Sequence, residues 1–364
     1  MKRLLFLFLL LPLFACSAYA EEPGRIAMET YNVQALENGL SDEEAAISGK
    51  LRYGSYDTAS ALFRLWNAFL ERLRTELRAG FGIAASLLAL VFLCAFSSCV
   101  CSVDRIRELL EICGVCAAGA MLFGNVNSLV SQTVNALYRL SDYSKAALPV
   151  LYSAAAAGGA VSSSAMHYAA ASLALDVMMS LSQKAVIPLI YANLALVVSN
   201  ALFSNPLLTS MVQLTKWCAK TVLTAATLAF TTYLGLGTLV STGIDAAAVK
   251  AARTVISTSL PVVGGMLSDA SAAVLSAAGV IRSCSGAFGV IAVSAMCVGP
   301  LALLSVKNFL FKAVAAAAES VQNARLQRLF SGIGSAVGLL MGLLGSSAVM
   351  LFLSFAAGMR VVAA

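Results

Sequence analysis

Long uncharged apolar stretches alternate with short charged segments along most of the chain beyond residue 80. Each stretch can hold a helix of about 20 residues, the length needed to cross a hydrocarbon layer of about 30 Å. The pattern therefore predicts an all-α, polytopic helical membrane protein with about 7–8 transmembrane helices. The predicted spans lie near residues 81–103, 112–134, 147–168, 185–204, 217–241, 259–281, 284–306 and 332–358.

The first 20 residues have the pattern of a cleaved signal peptide. Two basic residues precede a short apolar run, and Ala18-Tyr19-Ala20 forms a cleavage site. Cys16 also approaches the position of a lipidated cysteine in a lipoprotein processing site, although Phe14 is unusual there. Ordinary cleavage after Ala20 is therefore the favoured prediction, and lipidation of Cys16 is the alternative.

Residues 21–80 form a short extracytoplasmic segment that is polar at its start and amphipathic towards its end. From residue 61, apolar side chains recur at helical spacing, while arginine and glutamate fall mostly elsewhere on the helix. This pattern predicts a helix along the membrane surface, and a packing face for a partner is the alternative. The domain division is thus 1–20 signal peptide, 21–80 extracytoplasmic segment and 81–364 polytopic membrane domain.

The composition excludes an ordinary soluble protein. Hydrophobic residues make up 60% of the chain and charged residues 12%, whereas soluble domains have roughly 25% charged residues. The formal net charge is +6, and the bases lie beside the predicted spans rather than in a run interleaved with aromatic residues. The lipid bilayer is therefore a predicted partner and nucleic acid is not.

The nine cysteines do not form a disulfide or metal-binding pattern. Most of them lie in or beside apolar stretches, where cysteine serves as a small apolar residue. Cys113 and Cys116 have the spacing of a redox or zinc pair, but no second pair and no histidine cluster supports them, because His167 is the only histidine. We expect no metal and no cofactor.

The stretch Thr258–Ala270 is apolar but contains residues that a plain spanning helix avoids. Pro261 removes a backbone donor, and Gly264 and Gly265 weaken a helix. Asp269 would cost about 2.5–3.5 kcal/mol at a helix centre in hydrocarbon. We therefore expect the span 259–281 to be broken or re-entrant, with these four residues at a pathway or a subunit contact. The alternative is that Asp269 caps an interfacial helix.

The same stretch decides the predicted topology. If 259–281 crosses fully, the basic connector 307–328 lies in the cytoplasm; if it folds back, that connector lies outside. The tendency of basic residues to stay inside favours the full crossing.

A row of small residues marks one face of the last predicted span. Gly334, Gly338, Gly342 and Ser346 recur every four residues, so they line one side of a helix. Such a row allows two membrane helices to approach closely, and it predicts a helix-packing face.

No constellation of residues predicts an enzyme. The serines at 162–164 lie near His167 but match no known nucleophile spacing. An intramembrane aspartyl protease would need Asp176 and Asp269, and neither has a recognisable flanking motif. We therefore expect no catalytic residues. A stand-alone, ion-coupled secondary transporter or permease is the alternative function, because such proteins use broken helices and isolated intramembrane acids.

The run Leu260-Pro-Val-Val-Gly-Gly-Met-Leu-Ser-Asp269 closely resembles the signature of stage III sporulation protein AE of endospore-forming Firmicutes. The order of signal, short extracytoplasmic segment and small-residue-rich spans is also similar to that family. The resemblance implies a multi-pass protein of the mother-cell membrane surrounding the forespore, acting as a non-enzymatic subunit of a sporulation channel with a secretion-like apparatus.

The resemblance also implies partners. In that family the protein works with other stage III A-operon products, including a cytoplasmic ATPase and ring-forming subunits. These connect indirectly to the forespore protein Q. The assembly supports late forespore development after engulfment.

Overall fold

The apolar stretches form parts of very long helices in the computed structural model, which describes residues 34–49, 56–100, 103–259 and 264–360. Side chains between residues 235 and 277 lie outside this description. The described residues form nine α-helices and no strand. In chain order the helices are α1 (Gln34–Asn38), α2 (Asp42–Ser48), α3 (Thr58–Val100), α4 (Asp104–Ala157), α5 (Val161–Leu181), α6 (Ile187–Phe203), α7 (Pro206–Ser259), α8 (Gly264–Ser320) and α9 (Ala324–Arg360), with a π-helical segment (Ser182–Val186) joining α5 to α6.

Polar residues form two tight turns between consecutive long helices. Ser204 and Gln322 have left-handed backbones, with φ of 50° and 57°, which reverse the chain after α6 and α8. An asparagine follows each of them. Asn205 accepts a hydrogen bond from the backbone N–H two residues later at 2.9 Å, and Asn323 from the N–H three residues later at 3.1 Å. These bonds cap the otherwise unpaired N-terminal donors of α7 and α9.

Five helical stretches of the described residues are long and apolar enough to cross a membrane, which confirms the expected all-helical membrane protein. Their most apolar windows differ greatly in burial. The window in α8 is 89% buried within the protein and that in α9 is 72% buried, against at most 33% in the others. α8 and α9 therefore form the centre of the bundle, while α3 to α6 expose apolar faces. The five stretches are Thr58–Ser98, Arg105–Ala157, Val161–Phe203, Ala278–Ser320 and Ala324–Met359.

The helices do not coincide one by one with the predicted spans. α4 contains all of 112–134 and the first part of 147–168, and it ends within the latter at Ala157, so 147–168 is not one helix. α8 likewise contains 284–306 and most of 259–281. Charged residues separate these predicted spans in the sequence. They do not interrupt the helices, because a charged side chain can face another part of the protein.

The remaining predicted spans each fall on one helical stretch. α3 joins the predicted surface helix and the span 81–103 into a single helix of 43 residues. The span 185–204 begins in the π-helical segment, 217–241 lies in α7 and 332–358 in α9. The signal peptide at 1–20 lies outside the described residues.

Three hairpins turn at the same end of the bundle: α3–α4, α6–α7 and α8–α9. Arg325, in the first turn of α9, connects them. Its guanidinium pairs with Glu108 at 2.7 Å and Glu111 at 3.2 Å in the first turns of α4. It also donates to the backbone carbonyl of Leu202 at the end of α6. One side chain thus joins all three hairpin tips.

Candidate functional site

A charged cleft opens between the N-terminal half of α3 and the middle of α4, with α8 as its floor. It consists of two adjoining compartments of about 470 Å³ and 210 Å³. The outer, larger compartment is also walled by α2, and the inner one reaches along α4 to Gln132 and Asn135. The two compartments share five lining residues: Arg72, Arg139, Met296, Gly299 and Pro300.

The floor of the cleft is an interruption in the hydrogen bonding of α8. Pro300 lies inside this helix and has no N–H, so the carbonyl of Met296 lacks its usual partner one turn ahead. Gly299 adds no side chain to this floor, and Nε of Arg72 lies 3.9 Å from the position that its Cβ would occupy. The most buried helix of the bundle therefore presents a small, polar stretch of backbone to the cleft.

Two ion pairs lie on the walls of the cleft, and their N–O distances differ. Glu44 of α2 and Arg139 of α4 are 2.6 Å apart, and the Glu44 side chain is 9% exposed while that of Arg139 is 50% exposed. On the opposite wall, Arg72 and Glu76 of α3 are 4.0 Å apart, and the Arg72 side chain is 49% exposed. Arg139 is thus held by a buried partner, whereas Arg72 remains available to a further charged group.

Helix α2 is held against the cleft by contacts at both of its ends. The backbone N–H of Ser41 donates to the Glu44 carboxylate at 2.9 Å, which closes the first turn of the helix. At the other end, the hydroxyl of Tyr56 donates to the carbonyl of Ser48 at 2.5 Å. The Tyr56 ring packs edge-on against Phe288 of α8, with ring centroids 5.5 Å apart. These contacts place the Glu44 carboxylate on Arg139.

Replacing Arg139 with glutamine is expected to destabilise the protein more than replacing Glu44 with glutamine. The first change leaves a buried carboxylate without its cation, at a cost of about 1–3 kcal/mol. The second leaves a half-exposed guanidinium that water can solvate, so its cost is smaller. Thermal unfolding of the purified, detergent-solubilised variants measures the difference. Equal losses from the two changes would contradict this asymmetry.

The predicted break around 261–269 falls largely outside the described residues. Pro261 and the side chain of Asp269 are not described, so the structure does not test whether they meet. Gly264 and Gly265 form the start of α8, and the backbone of Asp269 lies in the same helix. Pro300, in contrast, lies within the described residues and lines both compartments of the cleft.

The predicted small-residue row on α9 lies beside two neighbouring helices at two of its positions. Gly334 faces α8, where a Cβ would lie 3.5 Å from Cγ of Lys312, and Gly342 faces α7 at 3.9 Å from Cδ1 of Leu223. Gly338 and Ser346 are half-buried. Two other glycines of α9 lie closer to side chains of neighbouring helices than Gly334 and Gly342 do. They are Gly332, against Val197 of α6, and Gly358, against Leu151 of α4.

The other candidate residues do not assemble a reactive site. His167 is buried in α5, and its Nε2 has no hydrogen-bond partner among the described residues. Asp176 is exposed on the same helix. Cys113 and Cys116 are exposed on α4 as free thiols, and no cluster of three metal-binding side chains occurs in the described part of the chain.

Sequence reasoning missed the cleft, although one signal for it was present. Gly299-Pro300 stands in the middle of the predicted span 284–306, a position where a helix breaker is unfavourable unless protein or water covers the freed backbone. The pairing of Glu44 with Arg139 joins residues 95 positions apart. Nothing in the local pattern around either residue indicates its partner.

Comparison with known proteins gives one result. The family model for stage III sporulation protein AE matches residues 50–361, whereas no curated protein and no solved structure matches the chain. The matched region contains α3 to α9 and therefore the floor and both long walls of the cleft; α2 precedes it. Because the match covers most of the chain, and because the run Leu260–Asp269 already resembled the same family, this protein belongs to the stage III sporulation protein AE family.

Proposed function

We propose that this protein is a non-enzymatic membrane subunit of a channel or secretion-like complex that links the mother cell to the forespore. The observation that carries the proposal is the family match across the whole helical bundle. The five membrane-length helices support a role within a bilayer. The proposed location is the mother-cell membrane around the forespore, with the chain crossing it several times.

The proposed partners are the other stage III A-operon proteins. They include a cytoplasmic ATPase and ring-forming subunits, through which the complex reaches the forespore protein Q. The complex is needed for late forespore development.

Deletion of the gene in its native host tests this function. We expect sporulation to stop after engulfment, with loss of late forespore gene expression, and a tagged copy to restore it. Purification of that copy from sporulating cells should recover the ATPase and the ring-forming subunits. Normal spore formation by the deletion strain would refute the proposal.

A substitution at Asp269 tests the predicted role of the 258–270 stretch. We expect Asp269→Asn and Asp269→Ala to block spore formation while protein abundance stays unchanged, because a carboxylate in an apolar segment is retained for function. Asp176→Asn is the matched control, since Asp176 is exposed on α5. Normal spore yield from both Asp269 variants would remove this residue from the functional core.

A stand-alone ion-coupled transporter is the second candidate function, and the charged cleft beside Pro300 favours it. Isolated charges and interrupted helices are common in substrate sites of such proteins. The purified protein reconstituted alone in liposomes distinguishes the two. Ion-coupled uptake without partners would support the transporter, and its absence together with co-purification of the ATPase would support the channel subunit.

A further inference from the structure

The cleft lies at the height where both of its long walls change from uncharged to charged. On α3, residues 79–100 are uncharged and Arg78 directly precedes them; on α4, residues 112–138 are uncharged and Arg139 follows. Trp66 on α3 and Tyr138 on α4 are 41% and 45% exposed close to this level. Tryptophan and tyrosine concentrate where a bilayer meets water. This pattern is typical of the level of lipid head groups.

The inner compartment has an excess of positive charge. Arg72 and Arg139 line it with one carboxylate, that of Glu76. The side-chain amides of Gln132 and Asn135 provide further hydrogen-bonding groups. This arrangement suits an anionic group with several oxygen atoms.

The outer compartment has the opposite excess. The same two arginines line it together with three carboxylates, those of Glu43, Glu44 and Glu71, so the cleft as a whole has two guanidinium groups and four carboxylates. Glu44 is already paired with Arg139, whereas Glu43 and Glu71 are exposed and lie at the rim. This compartment therefore suits a cationic group held next to the anion.

We propose that the cleft binds the head group of an amine-bearing phospholipid. The phosphate lies in the inner compartment between Arg72 and Arg139, and the primary ammonium lies in the outer compartment beside Glu43 and Glu71. Guanidinium groups match phosphate oxygens in geometry as well as in charge. The loose 4.0 Å pair of Arg72 with Glu76 leaves Arg72 free to turn towards the phosphate.

The size and position of the cleft agree with this occupant. The two compartments together fall within the range of about 300–1,000 Å³ that is usual for small-molecule sites. The acyl chains of the lipid would lie along the exposed apolar side chains that follow on α3, such as Phe81 and Phe92. A basic pocket between helices at the membrane boundary is a recurrent type of lipid site.

Native mass spectrometry of the full-length protein in a neutral detergent tests the proposal. The probes are phosphatidylethanolamine, phosphatidylcholine and phosphatidylglycerol with identical acyl chains. We expect phosphatidylethanolamine to be retained about tenfold more tightly than phosphatidylcholine, the ratio that corresponds to about 1.4 kcal/mol. The quaternary ammonium of phosphatidylcholine cannot donate hydrogen bonds to Glu43 or Glu71, and phosphatidylglycerol has no ammonium at all.

The variant Arg72→Gln is expected to weaken the retention of phosphatidylethanolamine and of phosphatidylcholine alike, because both lipids carry the phosphate that Arg72 holds. Arg74→Gln is the matched control, because it removes the same charge from the same helix at an exposed position that does not line the cleft. Equal effects of the two substitutions, or equal retention of phosphatidylethanolamine and phosphatidylcholine by the native protein, would overturn the proposal. Retention of phosphatidylglycerol as strong as that of phosphatidylethanolamine would overturn the placement of the ammonium.

Soluble O-phosphoethanolamine tests whether a free head group, rather than a whole phospholipid, occupies the cleft. Weaker binding of this compound than of the lipid supports a membrane ligand, because the acyl chains then add contacts along α3. Equal or tighter binding would overturn the lipid as the occupant. Circular dichroism and the elution volume of Arg72→Gln are expected to match those of the native protein, since Arg72 is half-exposed.

Discussion

Gly332→Ala is expected to destabilise the bundle by about 1–3 kcal/mol, although alanine normally favours a helix over glycine. The added methyl group would overlap the side chain of Val197 on α6, with its Cβ only 3.1 Å from that of Val197. Val197 is 2% exposed and β-branched, so it cannot turn away. α9 would have to move away from α6. Thermal unfolding of the detergent-solubilised protein measures the loss.

Gly342→Ala on the same helix is the matched control. A Cβ there would lie 3.9 Å from Cδ1 of Leu223, which is an ordinary contact distance. We expect this variant to be as stable as the native protein or more stable by up to about 1 kcal/mol. If Gly332→Ala unfolds at the same temperature as Gly342→Ala, then α6 and α9 do not approach each other as described.

Arg325→Met is expected to lower the free energy of unfolding by about 2–3 kcal/mol, because it leaves three acceptors without their shared donor. The Arg325 side chain is 15% exposed, and its partner Glu111 is 25% exposed, so water replaces the lost contacts poorly. Glu108 is 62% exposed and contributes less. Limited proteolysis should then cleave the turns within the three hairpins, α3–α4, α6–α7 and α8–α9, more easily.

Two further variants separate this effect from a general loss of charge. Arg328→Met removes a half-buried cation from the next turn of α9 and is expected to change stability less. Adding Glu111→Gln to Arg325→Met should recover part of the lost stability, because it removes the unpaired carboxylate. A double variant no more stable than Arg325→Met would show that the ion pair does not hold the hairpin tips together.

The sequence predicts the helical membrane fold because long uncharged runs have few other stable structures in a bilayer. It does not predict where the helices end. Arg139 and Arg282 interrupt the apolar pattern and fall between predicted spans, yet both lie inside continuous helices. Arg139 faces Glu44, and Arg282 lies 3.9 Å from the position of a Cβ on Gly158 in the α4–α5 turn. A local pattern cannot indicate partners so distant in the chain.

The sequence also fails to distinguish a lipid-facing helix from a buried one. The windows in α3 and α8 have nearly equal mean hydropathy, 2.3 and 2.2, yet 28% of the first and 89% of the second are buried. Lipid tails are as apolar as leucine side chains, so both environments select the same residues. For the same reason the cleft was missed, since its floor lies in one of the most apolar windows of the chain.

The central position of α8 has a consequence for biogenesis. Chains are synthesised from the N-terminus at about 5–20 residues per second, so α3 to α7 are made before the two helices that form the core exist. Until α8 and α9 insert, these earlier helices have only one another to pack against, as α4 packs on α5 and α6 on α7. Assembly of the bundle is therefore a late event that follows translation of almost the whole chain. A ribosome stalled before residue 264 would leave inserted helices without a centre to pack against.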